Sequence, residues 1–286
     1  MKSKKLKKWT TLLTCATALT VMTACSQSSS QSTGTTSSTT SKTSAVTATT
    51  SKKTNKNNSN YFTSKDSDTS YDESSASKIK LSGSSADVSG DGVAVSGSTV
   101  TISKAGTYVI SGKSDGVQIK VDAGDSDDVH IVLDGVTMTN TNAAINATSA
   151  GHVYLTLKDG TTSTLSDSSS NSDEDADAVI FSKGDLTING SGTLNIDAKK
   201  NNGIKANDSL HMTGGTYKIT SVGDAFNVND ELNITGTTMT IKAGDDGIHA
   251  SGDLIIDSGT YKVEKSTEGI EGKSVTINGG NIDVYA

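Results

Sequence analysis

The chain has 286 residues, of which 32 are acidic and 25 basic, so its formal charge is −7. All 25 basic residues are lysines, proline is absent, and the two cysteines are Cys15 and Cys25. The acidic balance argues against a nucleic acid as partner. Two cysteines, one of them within the first 24 residues, exclude a disulfide framework and a cysteine-based metal site in the folded part.

The first 24 residues are predicted to be a secretory signal peptide. Five lysines in Met1–Lys8 precede a largely apolar stretch from Trp9 to Met22, which is too short to span a bilayer comfortably. The sequence Met22-Thr-Ala-Cys25 resembles the lipobox of bacterial lipoproteins, which implies cleavage before Cys25 and lipidation of that residue. The alternative is a short membrane anchor that is never cleaved.

Loss of these five lysines would change the formal charge from −7 to −12. We expect the mature chain to be exported, anchored by its lipid to the outer face of a bacterial cell membrane, and exposed in the cell wall. Residues 25–77 are rich in Ser and Thr, and their first acidic residue is Asp66. Such a composition cannot bury a core, so we expect a disordered linker that acts as a tether.

Residues 78–165 are predicted to form the irregular opening coils of a β-structure. Short runs in which apolar and polar residues alternate, such as Val93–Val95, Val117–Val121 and Val153–Leu157, are separated by Gly, Asp and Asn. This pattern is typical of strands with one buried face. Irregular spacing is expected at the end of a solenoid.

Residues 166–286 are predicted to form regular coils, because apolar residues recur there every 22 residues. Five columns stay in register from Asn202 to Glu271, among them Ile204, Phe226, Ile248 and Ile270, and then Leu210, Leu232 and Leu254. A period of this length without a helical pattern indicates coils made of strands and turns. We therefore predict an all-β fold in which one chain winds as a right-handed parallel β-helix of about 22 residues per coil. The sequence ends inside a coil, so we expect it to be incomplete at the C-terminus.

Three motifs connect the chain with a known family. They are Lys104–Gly112 (KAGTYVISG), Val132–Val136 (VLDGV) and Asp177–Leu194 (DAVIFSKGDLTINGSGTL). From about residue 86 to its end, the chain resembles a family of bacterial secreted carbohydrate-binding domains. The resemblance implies a parallel β-helix related in fold to pectate lyases, bound calcium, and binding of cellulose or of acidic sugars such as polygalacturonate.

An acidic loop is the first candidate metal site. Asp173, Glu174, Asp175 and Asp177 place four carboxylates within five residues. The alternating Asp173, Asp175 and Asp177 could converge on one side of the loop, and carboxylate oxygens are the ligands that Ca²⁺ prefers. The alternative is a solvated acidic loop without a ligand.

An acidic column is the second candidate. Asn202, Asp224, Asp246 and Glu268 are each 22 residues apart, so their side chains should stack at the strand spacing of about 4.8 Å. Asp245 adds a further carboxylate beside Asp246. A cation would relieve the repulsion among these groups. The alternative is that they are turn residues, since Asn and Asp suit turns without any ligand.

A polar column is the candidate carbohydrate site. Lys205, Asn227, His249 and Glu271 follow the apolar column by one residue and should face outward along successive coils. Such a stripe of donors and acceptors could follow a saccharide chain. The alternative is an ordinary solvated strand face.

Together these features favour a non-catalytic protein that binds extracellular polysaccharide with the help of calcium, and they identify no protein partner. Acidic sugars are favoured over crystalline cellulose, because Trp9 is the sole tryptophan and would leave with the signal peptide. A polysaccharide lyase is one alternative, although the absence of arginine would leave Lys205 or another lysine as its base. An adhesin or cell-wall scaffold without a small ligand is another.

Overall fold

The computed structural model describes residues 61–286. This part of the chain consists of strands and turns and contains no helix, and so no helix that could cross a membrane. The strands form a parallel β-solenoid of about eight turns with about 23 residues per turn. The predicted fold class is therefore confirmed. The predicted signal peptide, the lipidation site Cys25 and residues 25–60 of the predicted linker lie outside the described residues.

Twenty-three strands make up the solenoid. Their bounds are β1 Ser77–Gly83, β2 Ser85–Ser89, β3 Val93–Ser96, β4 Thr99–Ile102, β5 Gly106–Asp115, β6 Gln118–Asp122, β7 Asp128–Thr139, β8 Ile145–Ser149, β9 His152–Leu157, β10 Thr162–Ser166, β11 Ala178–Ser182, β12 Leu186–Gly190, β13 Thr193–Ala198, β14 Asn202–Ala206, β15 Leu210–Thr213, β16 Thr216–Ser221, β17 Phe226–Val228, β18 Leu232–Thr235, β19 Thr237–Lys242, β20 Ile248–Ile256, β21 Gly259–Lys265, β22 Ile270–Ile277 and β23 Asn281–Val284.

Each regular coil contributes strands to three parallel ladders, which form three faces. The first face contains β4, β6, β8, β11, β14, β17 and the beginnings of β20 and β22. The second contains β1, β5, the beginning of β7, β9, β12, β15, β18 and the ends of β20 and β22. The third contains the end of β7, β10, β13, β16, β19, β21 and β23.

The strand registers reproduce the predicted apolar columns. Leu210 pairs with Leu232, which pairs with Leu254 on the next coil. On the third face, Met239 lies between Tyr217 and Tyr261 in the same way. These side chains are almost fully buried, and burial of a large apolar side chain stabilises the fold by about 1.5–3 kcal/mol. The stacked columns therefore form one continuous core inside the solenoid.

The opening coils depart from parallel pairing. Strands β1 and β2, and strands β3 and β4, form antiparallel hairpins with two-residue turns. Gly83 and Gly97 begin these turns at a φ of 59°, a conformation that glycine adopts without the steric cost of a Cβ atom. The glycines in this region therefore make hairpins as well as separating coils.

The coil before β11 contains a long insertion. Ile145 pairs with Ile180, 35 residues later, whereas Ile180 to Ile204 and Ile204 to Phe226 take 24 and 22 residues. The additional residues form a loop over 167–177, in which Ala176 packs with Ala143 and Phe181 in a small second core. Phe181 occupies an outward position of the first face, and the loop buries it.

The folded part begins before the predicted boundary at residue 78. Residues 61–76, called the strap below, lie on the second face, where Asp66 is only 2% exposed. The Oγ1 atom of Thr187 donates a hydrogen bond to Asp66 over a sequence separation of 121 residues. The predicted linker extends too far at this end, because a low apolar content does not prevent docking through polar contacts.

Candidate functional site

The acidic column lies in the turns that precede the first-face strands. Asn202 Oδ1 accepts a 3.1 Å hydrogen bond from the backbone N–H of Asp224, and Asp224 Oδ1 accepts one of 2.9 Å from the N–H of Asp246. Each of these side chains therefore connects its coil to the next. Asn202 and Asp224 therefore act as turn residues that accept backbone hydrogen bonds, which is the alternative stated for the acidic column.

Asp246 differs from the two residues before it in the column. Its side chain is buried, with 6% of its surface exposed, and its Oδ1 atom has no hydrogen-bond partner. Burial and the neighbouring carboxyl groups of Glu268, Glu271 and Asp224 raise the pKa of Asp246 to about 8. An unpaired buried polar atom costs free energy unless something binds it. The geometry therefore leaves one buried oxygen available to a cation or a proton.

Two sets of potential ligands share Asp246. One contains Asp224, Asp246 and His249, and the other contains Asp245, Asp246 and Glu268; within each set the ligand atoms lie within 4.8 Å of one another. The second set offers only carboxylate oxygens, which suit a hard cation such as Ca²⁺. The structure thus brings together four of the predicted metal residues.

A glycine fixes the position of Asp246 relative to the next coil. A Cβ atom on Gly247 would lie 2.5 Å from the carbonyl oxygen of Gly269 and 3.0 Å from Val263 Cγ1. The backbones of adjacent coils approach too closely here for any other residue. Gly247 after Asp246 is therefore required by the close packing of adjacent coils as well as by the turn.

The structure does not bring the predicted ligands of the acidic loop together. Asp173 Oδ1 accepts hydrogen bonds from the backbone N–H groups of Asp175 and Ala176. Asp177 is turned towards the solenoid, where Lys205 Nζ donates to its Oδ1 atom at 2.8 Å. Ala176 between them is buried in the small second core with Ala143 and Phe181. Among the described residues, Asp173, Asp175 and Asp177 do not form one of the groups whose ligand atoms converge, so calcium binding by this loop remains a prediction.

The polar column has the predicted register, but its side chains are partly engaged. Lys205 pairs with Asn227, Asn227 with His249, and His249 with Glu271. Asn227 Nδ2 donates to Asp224 Oδ2 at 2.5 Å, and His249 Nδ1 lies 3.9 Å from the same oxygen. The acidic and polar columns therefore form one surface, with Asp224 connecting them.

The model of a family described as "Carbohydrate-binding domain-containing protein" matches residues 96–286, about two thirds of the chain. This chain belongs to that carbohydrate-binding domain family. A relative of the same description from Acetivibrio thermocellus is 39% identical over 123 residues, which are 41% of this chain and 43% of the relative. The chain spans less than half the length of this relative.

A solved structure shares the fold of this carbohydrate-binding domain. It is the polysaccharide lyase-like protein from C. thermocellum, determined as a gadolinium derivative, and it superposes with a TM-score of 0.60. The two chains are 31% identical, and the match covers 72% of this chain and 93% of the solved one. Family and fold together support binding of polysaccharide in general.

The carbohydrate-binding domain also has a second polar surface that the sequence did not reveal. On the second face, the outward side chains of Thr187 and Asn189 are fully buried beneath the strap, and His211 lies beside them. Burial raises the pKa of Asp66, but hydrogen bonds from Thr187 and Thr63 and the nearby His211 outweigh it and hold the pKa below its ordinary value. The strand pattern predicts these outward positions, whereas nothing in the sequence predicts that a linker residue covers them.

Proposed function

We propose that this protein binds acidic extracellular polysaccharide through calcium held by the acidic column, and that a lipid on Cys25 anchors it to the outer face of a bacterial membrane. Polygalacturonate represents the ligand class, because calcium can bridge a protein carboxylate and a sugar carboxylate. The buried, unpaired Oδ1 atom of Asp246 carries the proposal. It lies among carboxylates that a bound cation would neutralise.

The position of the acidic cluster supports a bridging role. Asp246 is buried, whereas Asp245 and Glu268 are exposed, so a cation there would keep an open side towards solvent. Ca²⁺ takes six to eight oxygen ligands, and these three residues cannot fill such a sphere alone. The remaining positions are available to water or to a sugar carboxylate. The structural neighbour was obtained as a gadolinium derivative, and gadolinium is likewise a hard cation that prefers oxygen ligands.

The polar column would contact the sugar beside the cation. His249 belongs to both surfaces, because it is adjacent to Asn227 in the strand ladder and offers a ring nitrogen to the Asp224–Asp246 set. Glu271 extends the column by one coil. A chain lying across the coils would meet these groups at intervals of about 4.8 Å.

A calcium-dependent lyase is the second candidate, because the solved neighbour is described as polysaccharide lyase-like. Such a reaction needs a cation that acidifies the proton next to the sugar carboxylate, and a base that removes this proton. Lys205 is the available lysine in the polar column, but its Nζ atom donates to Asp177 and to the backbone of Asp175. An ammonium held in this way is a poor base, so binding without cleavage is favoured.

The test is calorimetric titration of the protein with polygalacturonate, with calcium and then with EDTA, while ultraviolet absorbance reports any unsaturated product. The proposal expects binding only with calcium and no rise in absorbance. Asp246→Asn should abolish the calcium-dependent binding, whereas Asp230→Asn, an exposed acid elsewhere on the solenoid, should not. A rise in absorbance would favour the lyase. Absence of both calcium and sugar binding would favour a scaffold.

A further inference from the structure

The second face contains a group of polar side chains, called the cradle below, that surrounds a carboxylate. The cradle consists of Thr187 and Asn189 on β12 together with His211 and Thr213 on β15, the next strand of the ladder. All four side chains point outward from the solenoid, and Thr187 and Asn189 have no exposed surface. Outward side chains of a solenoid are ordinarily solvated, so their burial shows that something covers them.

The covering group is an acidic residue of the chain itself. Thr187 Oγ1 donates a 2.7 Å hydrogen bond to Asp66 Oδ1, and His211 Nδ1 lies 3.2 Å from the same oxygen. The backbone carbonyl of Asp66 accepts hydrogen bonds from Asn189 Nδ2 at 3.1 Å and from Thr213 Oγ1 at 2.6 Å. The cradle thus provides one hydrogen-bond donor for a carboxylate, together with the nearby His211 ring nitrogen, which has no hydrogen-bond partner, and two donors for a neutral carbonyl oxygen. The second oxygen of the Asp66 carboxylate accepts from Thr63 of the strap itself.

The solenoid itself orients the cradle. His152 Nε2 lies 2.9 Å from Thr187 Oγ1. Similarly, Thr156 Oγ1 donates to Asn189 Oδ1 at 2.6 Å and contacts His130 Nε2 at 2.8 Å. Because all these partners belong to the strands, the donors keep their direction without the strap. Preorganised donors of this kind are typical of ligand sites.

Apart from the contacts of Asp66, the strap has few buried contacts with the solenoid. Of residues 61–76, only Asp66 is buried. Lys65 forms a surface ion pair with Asp128, and such pairs contribute little to stability. Phe62 and Tyr71 make edge-on contacts with histidine rings. A segment with so few buried apolar contacts belongs to the part of a fold that opens locally.

Open space adjoins the strap. A cavity of about 260 Å³ is lined by Lys65, His130 and Tyr154, and another of about 300 Å³ by His152 and His211. The rings of Tyr154 and His152 stack at a centroid distance of 4.1 Å and an angle of 14°. Lys65 Nζ of the strap lies 4.7 Å from the centroid of the Tyr154 ring, so displacement of the strap would free an aromatic face beside the carboxylate position. An aromatic surface with a few polar groups next to it suits the ring of a sugar acid.

We propose that the cradle is a second binding site, which takes the carboxylate of a uronate residue, and that the strap is an internal competitor whose Asp66 occupies this position until the polysaccharide displaces it. The choice of a uronate rests on the proposed function. The cradle differs from the acidic column in that it lies on another face and uses hydrogen-bond donors instead of a cation. Binding there requires no calcium.

The test measures binding of trigalacturonate in EDTA at neutral pH. Asp66→Ala, which removes the competing carboxylate, should bind at least about tenfold more tightly than the wild-type chain, because hydrogen bonds to a charged group are lost from the strap. Asp72→Asn, which changes an exposed acid of the same segment, should bind as the wild type does. Adding Thr187→Val to Asp66→Ala should remove the gain. A folded Asp66→Ala variant without any gain overturns the proposal, as does one that binds polyglutamate but not trigalacturonate.

A measurement on the wild-type chain does not depend on how the variant folds. Trypsin cleavage after Lys65, followed by mass spectrometry in EDTA, should become several-fold faster when trigalacturonate is added, because the displaced strap is accessible. Methyl-esterified trigalacturonate, which lacks the charge, should not have this effect. An unchanged cleavage rate overturns the proposal. Calcium is absent throughout, so an unchanged cleavage rate would not contradict calcium-dependent binding at the acidic column. Likewise, absence of calcium-dependent binding would not contradict the cradle as a binding site.

Discussion

Replacement of Asp246 by Asn should stabilise the metal-free protein, although it removes a residue of the proposed site. In the unfolded chain this carboxyl group ionises near its ordinary pKa of 3.8, whereas in the fold its pKa is about 8. The folded state therefore retains a proton that the unfolded state releases. Because of this difference, the stability contributed by Asp246 is complete below about pH 4 and declines as the pH rises to about 8.

The size of this stabilisation follows from the shifted pKa and from the repulsion between neighbouring charges. At pH 7, a pKa raised from 3.8 to about 8 costs at most about 4 kcal/mol. Two charges 4.8 Å apart repel by about 3.5 kcal/mol at an effective dielectric constant near 20. Glu268 is exposed and can move away, so we expect a gain of about 2 kcal/mol for Asp246→Asn. The amide can also donate to the neighbouring carboxylates.

The assay is urea unfolding in EDTA, followed by circular dichroism at several pH values. The difference in the free energy of unfolding between Asp246→Asn and the wild type should grow from pH 5 to pH 8, with an unchanged m value. In excess calcium the order should reverse, because a ligand at 100 times its Kd stabilises by about 2.7 kcal/mol. Asp230→Asn should show neither effect. The reasoning is refuted if Asp246→Asn is less stable than the wild type in EDTA, or if the difference does not vary with pH.

Three further predictions concern Asp246, Tyr261 and Gly247. Calcium affinity should rise with pH up to about 8, by roughly tenfold per pH unit, because Asp246 must release its proton before it binds the ion. Calorimetry in buffers of different ionisation enthalpy would measure this proton release, and a calcium affinity that does not change with pH would contradict the prediction. Tyr261→Phe should cost about 1–2 kcal/mol in urea unfolding, because its buried hydroxyl accepts from Thr237 and donates to a backbone carbonyl; a neutral effect would contradict the role of this bond. Gly247→Ala should cost about 1–3 kcal/mol and weaken calcium binding, because the added Cβ would lie 2.5 Å from the carbonyl oxygen of Gly269; unaltered calcium affinity would show that the coil spacing does not position Asp246.

The regular coils could be predicted because each is recorded in the sequence as a repeat. Leu210, Leu232 and Leu254 are spaced by a constant 22 residues, and only a stacked arrangement buries all of them against one another. The same spacing predicted the polar and acidic columns. A periodic fold therefore reveals its strand register through the spacing of its apolar residues.

The remaining features depend on contacts that have no period. Asp224 and Asp246 occupy equivalent positions, yet Asp224 Oδ1 accepts a hydrogen bond from the next coil and Asp246 Oδ1 has no partner. In the acidic loop, Ala176 is buried although charged residues surround it in the sequence. Asp66 reaches Thr187 across 121 residues. Single long-range contacts of this kind leave no repeated pattern from which they could be predicted.

The most direct test of the account is a crystal structure of the protein grown with calcium and a short galacturonate oligomer. We expect one ion bound by Asp246 with Asp245 and Glu268, at oxygen distances of about 2.3–2.6 Å, and a sugar carboxylate in its remaining coordination positions beside His249. An empty acidic column at saturating calcium would contradict the account, as would an oligomer bound to the first face without contact to an ion.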